Sequence, residues 1–115
     1  MKVLVVHRQS NVLEYVKEEL NPWYVKKMLS GLDGLLSARM ERYDLVLCGL
    51  DLPVVTGIEM ARSIRNFSYN RHVPIVLLSD GSETSAHHKI AESLNATILT
   101  WQQVKDLKEL KLSQV

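Results

Sequence analysis

Cysteine is nearly missing from this chain of 115 residues: Cys48 stands alone. One thiol cannot close an internal disulfide, so the fold must rest on its core, and a reducing cytoplasm is the expected compartment. Long apolar runs are missing too. No stretch approaches the ~18 residues of a membrane span. The N-terminal run Val3–Val6 is too short for a secretory signal and stops at His7 and Arg8. Net charge is close to absent, since fourteen basic and thirteen acidic residues leave +1. A balance of that kind exerts no global pull toward nucleic acid or a membrane surface. Glycine is sparse, with five residues, which excludes a collagen-like chain. The chain has no GxGxxG, no P-loop, no nucleophile elbow and no HExxH motif, so phosphate-cradling loops and the commonest hydrolase signatures are out. Internal repeats and low-complexity segments are also lacking.

What is present is ordinary for a globular protein: 46% apolar and 23% charged residues. A single domain over residues 1–115 is expected, burying roughly two-thirds of its unfolded surface. Val3–Val6, Asp44–Cys48 and Val73–Leu78 are almost continuously apolar, as expected of parallel strands covered on both faces. Ala96–Leu99 is a weaker strand. Trp23–Met28 mixes Trp, Tyr and Val with two lysines and reads as an edge strand, where lysine discourages further pairing.

Helical spacing fills the gaps. Val12, Leu13, Val16 and Leu20 form one stripe, with Ser10 as its expected cap. Leu32, Leu35, Leu36 and Met40 form a second. Ile58, Ala61 and Ile64 form a third, started by the capping-box pair Thr56 and Glu59. Ala86, Ile90, Ala91 and Leu94 form a fourth, capped by Ser82 or Thr84. Val104, Leu107 and Lys111 line a last helix, widened by Leu110 and Leu112. Strand and helix thus alternate five times. That order predicts an α/β fold with a parallel sheet and helices on both faces. Ligands in such sheets sit at the carboxyl ends of the strands. The residues to inspect are therefore His7 and Arg8, Gly49 to Pro53, Ser79 and Asp80, and Thr100 and Trp101.

These segments carry a resemblance. Tyr43-Asp-Leu-Val-Leu-Cys-Gly-Leu-Asp-Leu-Pro53, followed by Gly57-Ile-Glu-Met, resembles the central motif of response-regulator receiver domains of two-component signalling. His72-Val-Pro-Ile-Val-Leu-Leu-Ser79 resembles that family's fourth strand, Met1–Val6 its first, and Leu29-Ser-Gly31 its turn into the second helix. The resemblance covers essentially the whole chain. It implies a three-layer, flavodoxin-like sandwich with strand order 2-1-3-4-5.

The same resemblance implies a degenerate site, a pseudo-receiver. Where the family carries an acidic pair after the first strand, this chain has His7 and Arg8. Where the family has its phosphoacceptor aspartate, it has Gly49. The family's lysine after the fifth strand is Trp101, and the following proline is Gln102. Ser79 keeps the hydroxyl after the fourth strand, and Ile98 holds the aromatic switch position. Phosphotransfer needs a carboxylate nucleophile, which glycine lacks. Mg²⁺ wants carboxylate oxygens, so its binding is expected to be lost and no cofactor is expected. An indole cannot offset phosphate charge as lysine would.

Several residues are open to more than one role. Arg8 either pairs with Asp51 or Asp80 and so fixes the neighbouring loops, or is an exposed arginine of ordinary mobility. Trp101 either plugs the former pocket or lies on the surface for a partner. His7 is expected to be a packed or hydrogen-bonded residue rather than a metal ligand, and Glu83 and His87 a surface helix pair rather than a zinc site. Cys48 is expected to be a buried small hydrophobe. Arg62, Arg65, Arg71 and His72 make a loose basic set, yet at a net +1, with no helix-turn-helix, direct nucleic-acid binding is not expected.

The leading expectation is a phosphorylation-independent signalling module, not an enzyme, that contacts protein partners in the cytoplasm without a membrane. The resemblance implies homodimerisation through the face of the fourth helix, fifth strand and fifth helix. Two other readings stay open: an anion or metabolite sensor built around Arg8, Ser79 and Trp101, and a residual phospho-switch through Asp51.

Overall fold

A computed structural model describes residues 1–67 and 69–108. Five parallel strands form one sheet: β1 Lys2–Val6, β2 Tyr24–Met28, β3 Leu45–Gly49, β4 Ile75–Ser79 and β5 Ala96–Thr100. Between them run α1 Ser10–Glu19, α2 Gly31–Met40, α3 Gly57–Phe67 and α4 Ser85–Ser93, and a 3-10 helix, Trp101–Asp106, follows β5. The strand order is β2-β1-β3-β4-β5, as the alternation and the motifs predict. The edge position of β2 agrees with its two lysines, and each strand lies within two residues of its predicted bounds.

Side chains alternate across the sheet and feed two cores. Leu4, Val6, Val46, Cys48, Ile75 and Leu77 meet α2, α3 and α4 on one face. Val3, Val5, Leu45, Leu47, Val76 and Leu78 meet α1 and the 3-10 helix on the other. β3 and β4 are buried at every residue, which is why they read as continuous apolar runs.

The helices depart from their predicted faces in instructive ways. In α1, Val12, Leu13 and Val16 are buried as expected, but the cap is Gln9, with no side-chain cap bond, and Ser10 is the first helical residue. The Gln9 N–H instead donates to His7 Nδ1 at 3.1 Å. Larger still is the correction in α2. Its buried face is Gly31, Gly34, Ser37 and Ala38. Leu32, Leu36 and Met40 lie outside, 58%, 48% and 80% exposed. The reason is steric. A Cβ on Gly34 would come within 2.6 Å of Val6 Cγ2, and one on Gly31 within 2.4 Å of the Val55 carbonyl. Only small residues let α2 approach β1 and the loop before α3 so closely, so the large ones turn outward.

In α3 the stripe gains Met60, fully buried beside Ala61 and Ile64, while Ile58 is only partly buried. Thr56 Oγ1 accepts from the Glu59 N–H at 3.2 Å, as the capping spacing predicts. In α4 only Ala91 is buried, and Ala86 is exposed. The cap is Thr84: its Oγ1 accepts from the His87 N–H at 3.3 Å, and its own N–H donates to His87 Nδ1 at 3.1 Å. His87 therefore belongs to a cap rather than to the predicted pair with Glu83. Val104 and Leu107 are buried at the start of the last helical segment, and Leu110, Lys111 and Leu112 fall outside the described residues.

Candidate functional site

The carboxyl ends of β1, β3, β4 and β5 converge on a cavity of about 370 Å³, bordered by His7, Arg8, Asp51, Ser79, Asp80 and Trp101 among others. The parallel register causes this convergence. Val6 pairs with Cys48, Gly49 with Leu78, and Ser79 with Thr100. Residues one or two beyond each strand then open onto one place.

His7 follows β1 and is half-buried. Its Nδ1 is occupied by the Gln9 N–H, and burial, with a smaller push from the Arg8 charge, lowers its pKa below the ordinary histidine value. His7 is thus a half-buried, hydrogen-bonded residue at the cavity wall. Gly49 ends β3 beneath it. A Cβ there would lie 3.1 Å from His7 Cδ2 and 3.3 Å from Leu52 Cδ2. The space in which a side chain of residue 49 would grow is already lined by an imidazole and a leucine.

Arg8 takes the second of its two expected roles, and the ion pair is not formed. The residue is exposed, and it forms no ion pair with Asp51, Asp80 or any other carboxylate among the described residues. The loop after β1 turns directly into α1, which leaves the guanidinium at the cavity mouth in water, where pairing gains little. Asp51 is exposed at the same mouth. Asp80 turns to its own loop: its Oδ1 accepts from the Ser82 N–H at 3.0 Å, and bonds to Ser82 keep its carboxyl below the ordinary range.

Ser79 is buried, and its hydroxyl is engaged inside the fold. It donates to Glu83 and accepts from the Gly81 N–H at 2.8 Å. The bond to Ser79 is the first cause of the lowered Glu83 pKa. Glu83 also lies 3.9 Å from His88 Nε2. Trp101, which the sequence left between two roles, is half-buried. It borders the cavity and meets Tyr15 of α1 edge-on, ring centres 5.0 Å apart at 85°. Its indole thus closes the seam between α1 and the end of β5. Ile98, opposite Leu77 in the sheet, packs toward α4 on the other face.

Two features of the site were less visible in the sequence. Thr56 and His87 also border the cavity, brought there by the starts of α3 and α4. The glycine in Gly57-Ile-Glu-Met was a legible signal. A Cβ on Gly57 would meet the Gly49 carbonyl oxygen at 2.2 Å, so only glycine lets α3 begin against the end of β3. Cys48 is fully buried and its thiol is pushed up to about 12 by desolvation, the inert packed residue expected. Among the described residues, no group of three or more His, Cys, Asp or Glu side chains is placed to hold a metal ion. No helix among them is long and apolar enough to cross a membrane.

The sequence matches the response regulator receiver domain family over residues 3–109. It is 33% identical over 85 residues to the response regulator ArlR of Staphylococcus saprophyticus, an alignment covering 72% of this chain and 37% of that protein. The chain therefore spans little more than a third of the length of the curated relatives it matches. Among solved structures, the phosphorylated cyanobacterial phytochrome response regulator RcpA superposes with a TM-score of 0.85 at 22% identity, covering 99% of this chain and 95% of that one. The chemotaxis protein CheY4 of Vibrio cholerae gives 0.82 at 24% identity, covering 96% and 95%. These two likenesses speak for the fold. Together with the family match over nearly the whole sequence, they establish that the chain belongs to the response regulator receiver domain family of two-component signalling.

Proposed function

We propose that this receiver domain signals by protein contact and not by aspartyl phosphorylation. The observation that carries this reading is the crowded strand end at Gly49. The strand end that holds the family's acceptor carries no carboxylate, and His7 and Leu52 stand 3.1 and 3.3 Å from where its Cβ would be. Supporting it, the place of the acidic pair is taken by a half-buried imidazole with a lowered pKa and an exposed guanidinium, a donor set unsuited to a hard divalent cation. The remaining carboxylates, Asp51 and Asp80, are an exposed mouth residue and a loop-bonded one. Trp101 packs on Tyr15 where a lysine would reach for phosphate. The chain on this reading is a non-enzymatic module without a resident metal. By analogy with its family, its output runs through α4, β5 and the segment after it, to a partner or a second copy.

The test is an NMR titration with Mg²⁺ and beryllofluoride, which mimics an aspartyl phosphate. The expected result is no saturable amide shift at the strand ends. Saturable shifts around Asp51, Ser79 and Trp101 would overturn the reading and restore Asp51 as an acceptor. A second reading, an anion or metabolite sensor, is favoured by one observation: the exposed Arg8 guanidinium at the mouth of a cavity of about 370 Å³. Saturable binding of a small anion that disappears in Arg8→Ala supports it, and indifference to that substitution removes it.

A further inference from the structure

The amino end of the sheet carries a feature that the receiver reading does not use. Arg39 in the last turn of α2, Arg42 before β3, Phe67 at the end of α3, and Tyr69, Arg71 and His72 before β4 line one open cleft of about 700 Å³. Phe67 and Tyr69 are 74% and 68% exposed. The guanidinium groups of Arg39, Arg42 and Arg71 make no ion pair or hydrogen bond among the described residues. Two arrangements keep that positive charge free. Glu41, the acid beside Arg42, is held by Lys2 at 2.8 Å and Lys26 at 3.0 Å. Arg65 is withdrawn from the predicted basic set, because its guanidinium donates to the carbonyls of Leu94, Arg71, Val73 and Asn95.

The cleft is also rigid where it matters. Buried Asn70 sits between Tyr69 and Arg71. Its amide oxygen accepts from the Tyr43 N–H at 2.7 Å, and its amide nitrogen donates to the carbonyls of Ala38 at 2.7 Å and Glu41 at 2.8 Å. The loop carrying Tyr69 and Arg71 is thereby pinned to the turn carrying Arg42. A surface organised in advance loses less entropy on binding.

We propose that this cleft docks an acidic segment of a partner protein, with carboxylates opposite Arg39, Arg42 and Arg71 and apolar side chains against Phe67, Tyr69 and Met40. Charge complementarity selects the sign of the partner. Arg, Tyr, Phe and Met are the residue types enriched in protein interfaces, and the first two dominate their energetic centres. Leu32, Leu36 and Met40 recur every four residues along the exposed side of α2, and Met40 is the chain neighbour of Arg39 in the cleft. An amphipathic segment would cover that apolar row, for which a nucleic acid has no use. A net charge of +1 likewise supplies no wide field for a phosphate backbone. The cleft lies opposite the strand ends discussed above, so the proposal stands whether or not the chain takes a phosphoryl group.

The test is titration of the full chain with a short helical peptide bearing glutamates on one face and leucines on the other, read by backbone amide shifts. Saturable shifts at Arg39, Arg42, Tyr69 and Arg71, weakening as salt is raised, are expected. Arg42→Glu and Arg71→Glu should each weaken binding about tenfold or more, and Met40→Ser should weaken it less. Arg62→Glu, the same charge change at an exposed α3 residue outside the cleft, should leave affinity unchanged. All these side chains are on the surface, and thermal melts check that each variant stays folded; Arg39→Glu replaces either cleft variant if its melt is lost. Absence of saturable binding, shifts centred elsewhere, or preference of the cleft for a single-stranded oligothymidine would each overturn the proposal.

Discussion

The two ends of the sheet share strands but not character. At the carboxyl end, where the family's chemistry sits, Arg8 and Asp51 are exposed and form no ion pair among the described residues, and Gly49 has no side chain. At the amino end, a polar web joins elements far apart in sequence. Glu41 gathers Lys2, Lys26 and the Tyr43 hydroxyl, Tyr43 meets Ser37, Asn70 joins α2 to two loops, and Arg65 gathers four carbonyls. The difference teaches where a receiver fold keeps its stability. The polar groups that tie together segments distant in sequence are opposite the strand ends, where the bonds are local ones such as Gln9 to His7 and Ser82 to Asp80.

The sharpest way to break this comparison is Asn70→Ala. It leaves a buried N–H and two carbonyls without their partner, and unsatisfied buried groups cost about 1–3 kcal/mol each. A loss of about 3 kcal/mol or more is expected from the urea midpoint, against about 0.5 kcal/mol or less for Asp51→Ala at the other end. Equal losses would dissolve the contrast. Next in size is Gly34→Ala, whose new methyl meets Val6 and Met60. Overpacking of this kind costs about 1–3 kcal/mol, whereas Leu36→Ala on the outer face of the same helix should stay within about 0.5 kcal/mol. A neutral Gly34→Ala would mean that α2 is not held against the sheet by small residues.

Val54 offers a gain at the carboxyl end. It has φ of +67° and is almost fully exposed, a conformation costly for a β-branched residue. Val54→Gly should raise stability by about 1 kcal/mol, read from the same urea curves. No gain would mean that this loop carries no strain.

The smallest expected effects separate the ends by pH. The Glu41 carboxyl is lowered to about 2, chiefly by its bond to Lys2 and then by those to Lys26 and Tyr43. A depressed acid stabilises the fold above its unfolded value of 4.5 and loses that contribution as pH falls toward about 2. Glu41→Gln should therefore flatten the stability profile only in that acid window. The His7 pKa is depressed by burial. The unfolded chain binds the proton first, so stability falls as pH drops below 6.5, and His7→Gln should remove that slope alone. Melting temperature against pH checks both, and a single shared window would contradict the separation.

Much of the architecture followed from local pattern. Apolar runs of strand length, alternating with helical spacing, required a parallel sheet, because only such strands are buried on both faces. The motif around Tyr43–Pro53 and Gly57 carried the family, and the strand-end positions pointed to His7, Arg8, Ser79 and Trp101, which do border one cavity. Other features were invisible to pattern. A leucine stripe in α2 suggested the buried face, yet the close approach to Val6 and Val55 admits only glycine, alanine and serine there. Whether Arg8 finds a carboxylate was open in the sequence, and the turn into α1 leaves it in solvent.

Residue type and spacing alone thus determined the strands and their neighbours' periodicity, since both depend on short-range geometry and on the atoms a side chain owns. Which face of α2 is buried, that Trp101 rests on Tyr15, and that Arg39, Arg42 and Arg71 share one cleft with Phe67 and Tyr69 were decided only in three dimensions. These are contacts between segments distant in sequence. They are set by how closely backbones approach and by which polar groups are already satisfied, and no local window of residues holds that information.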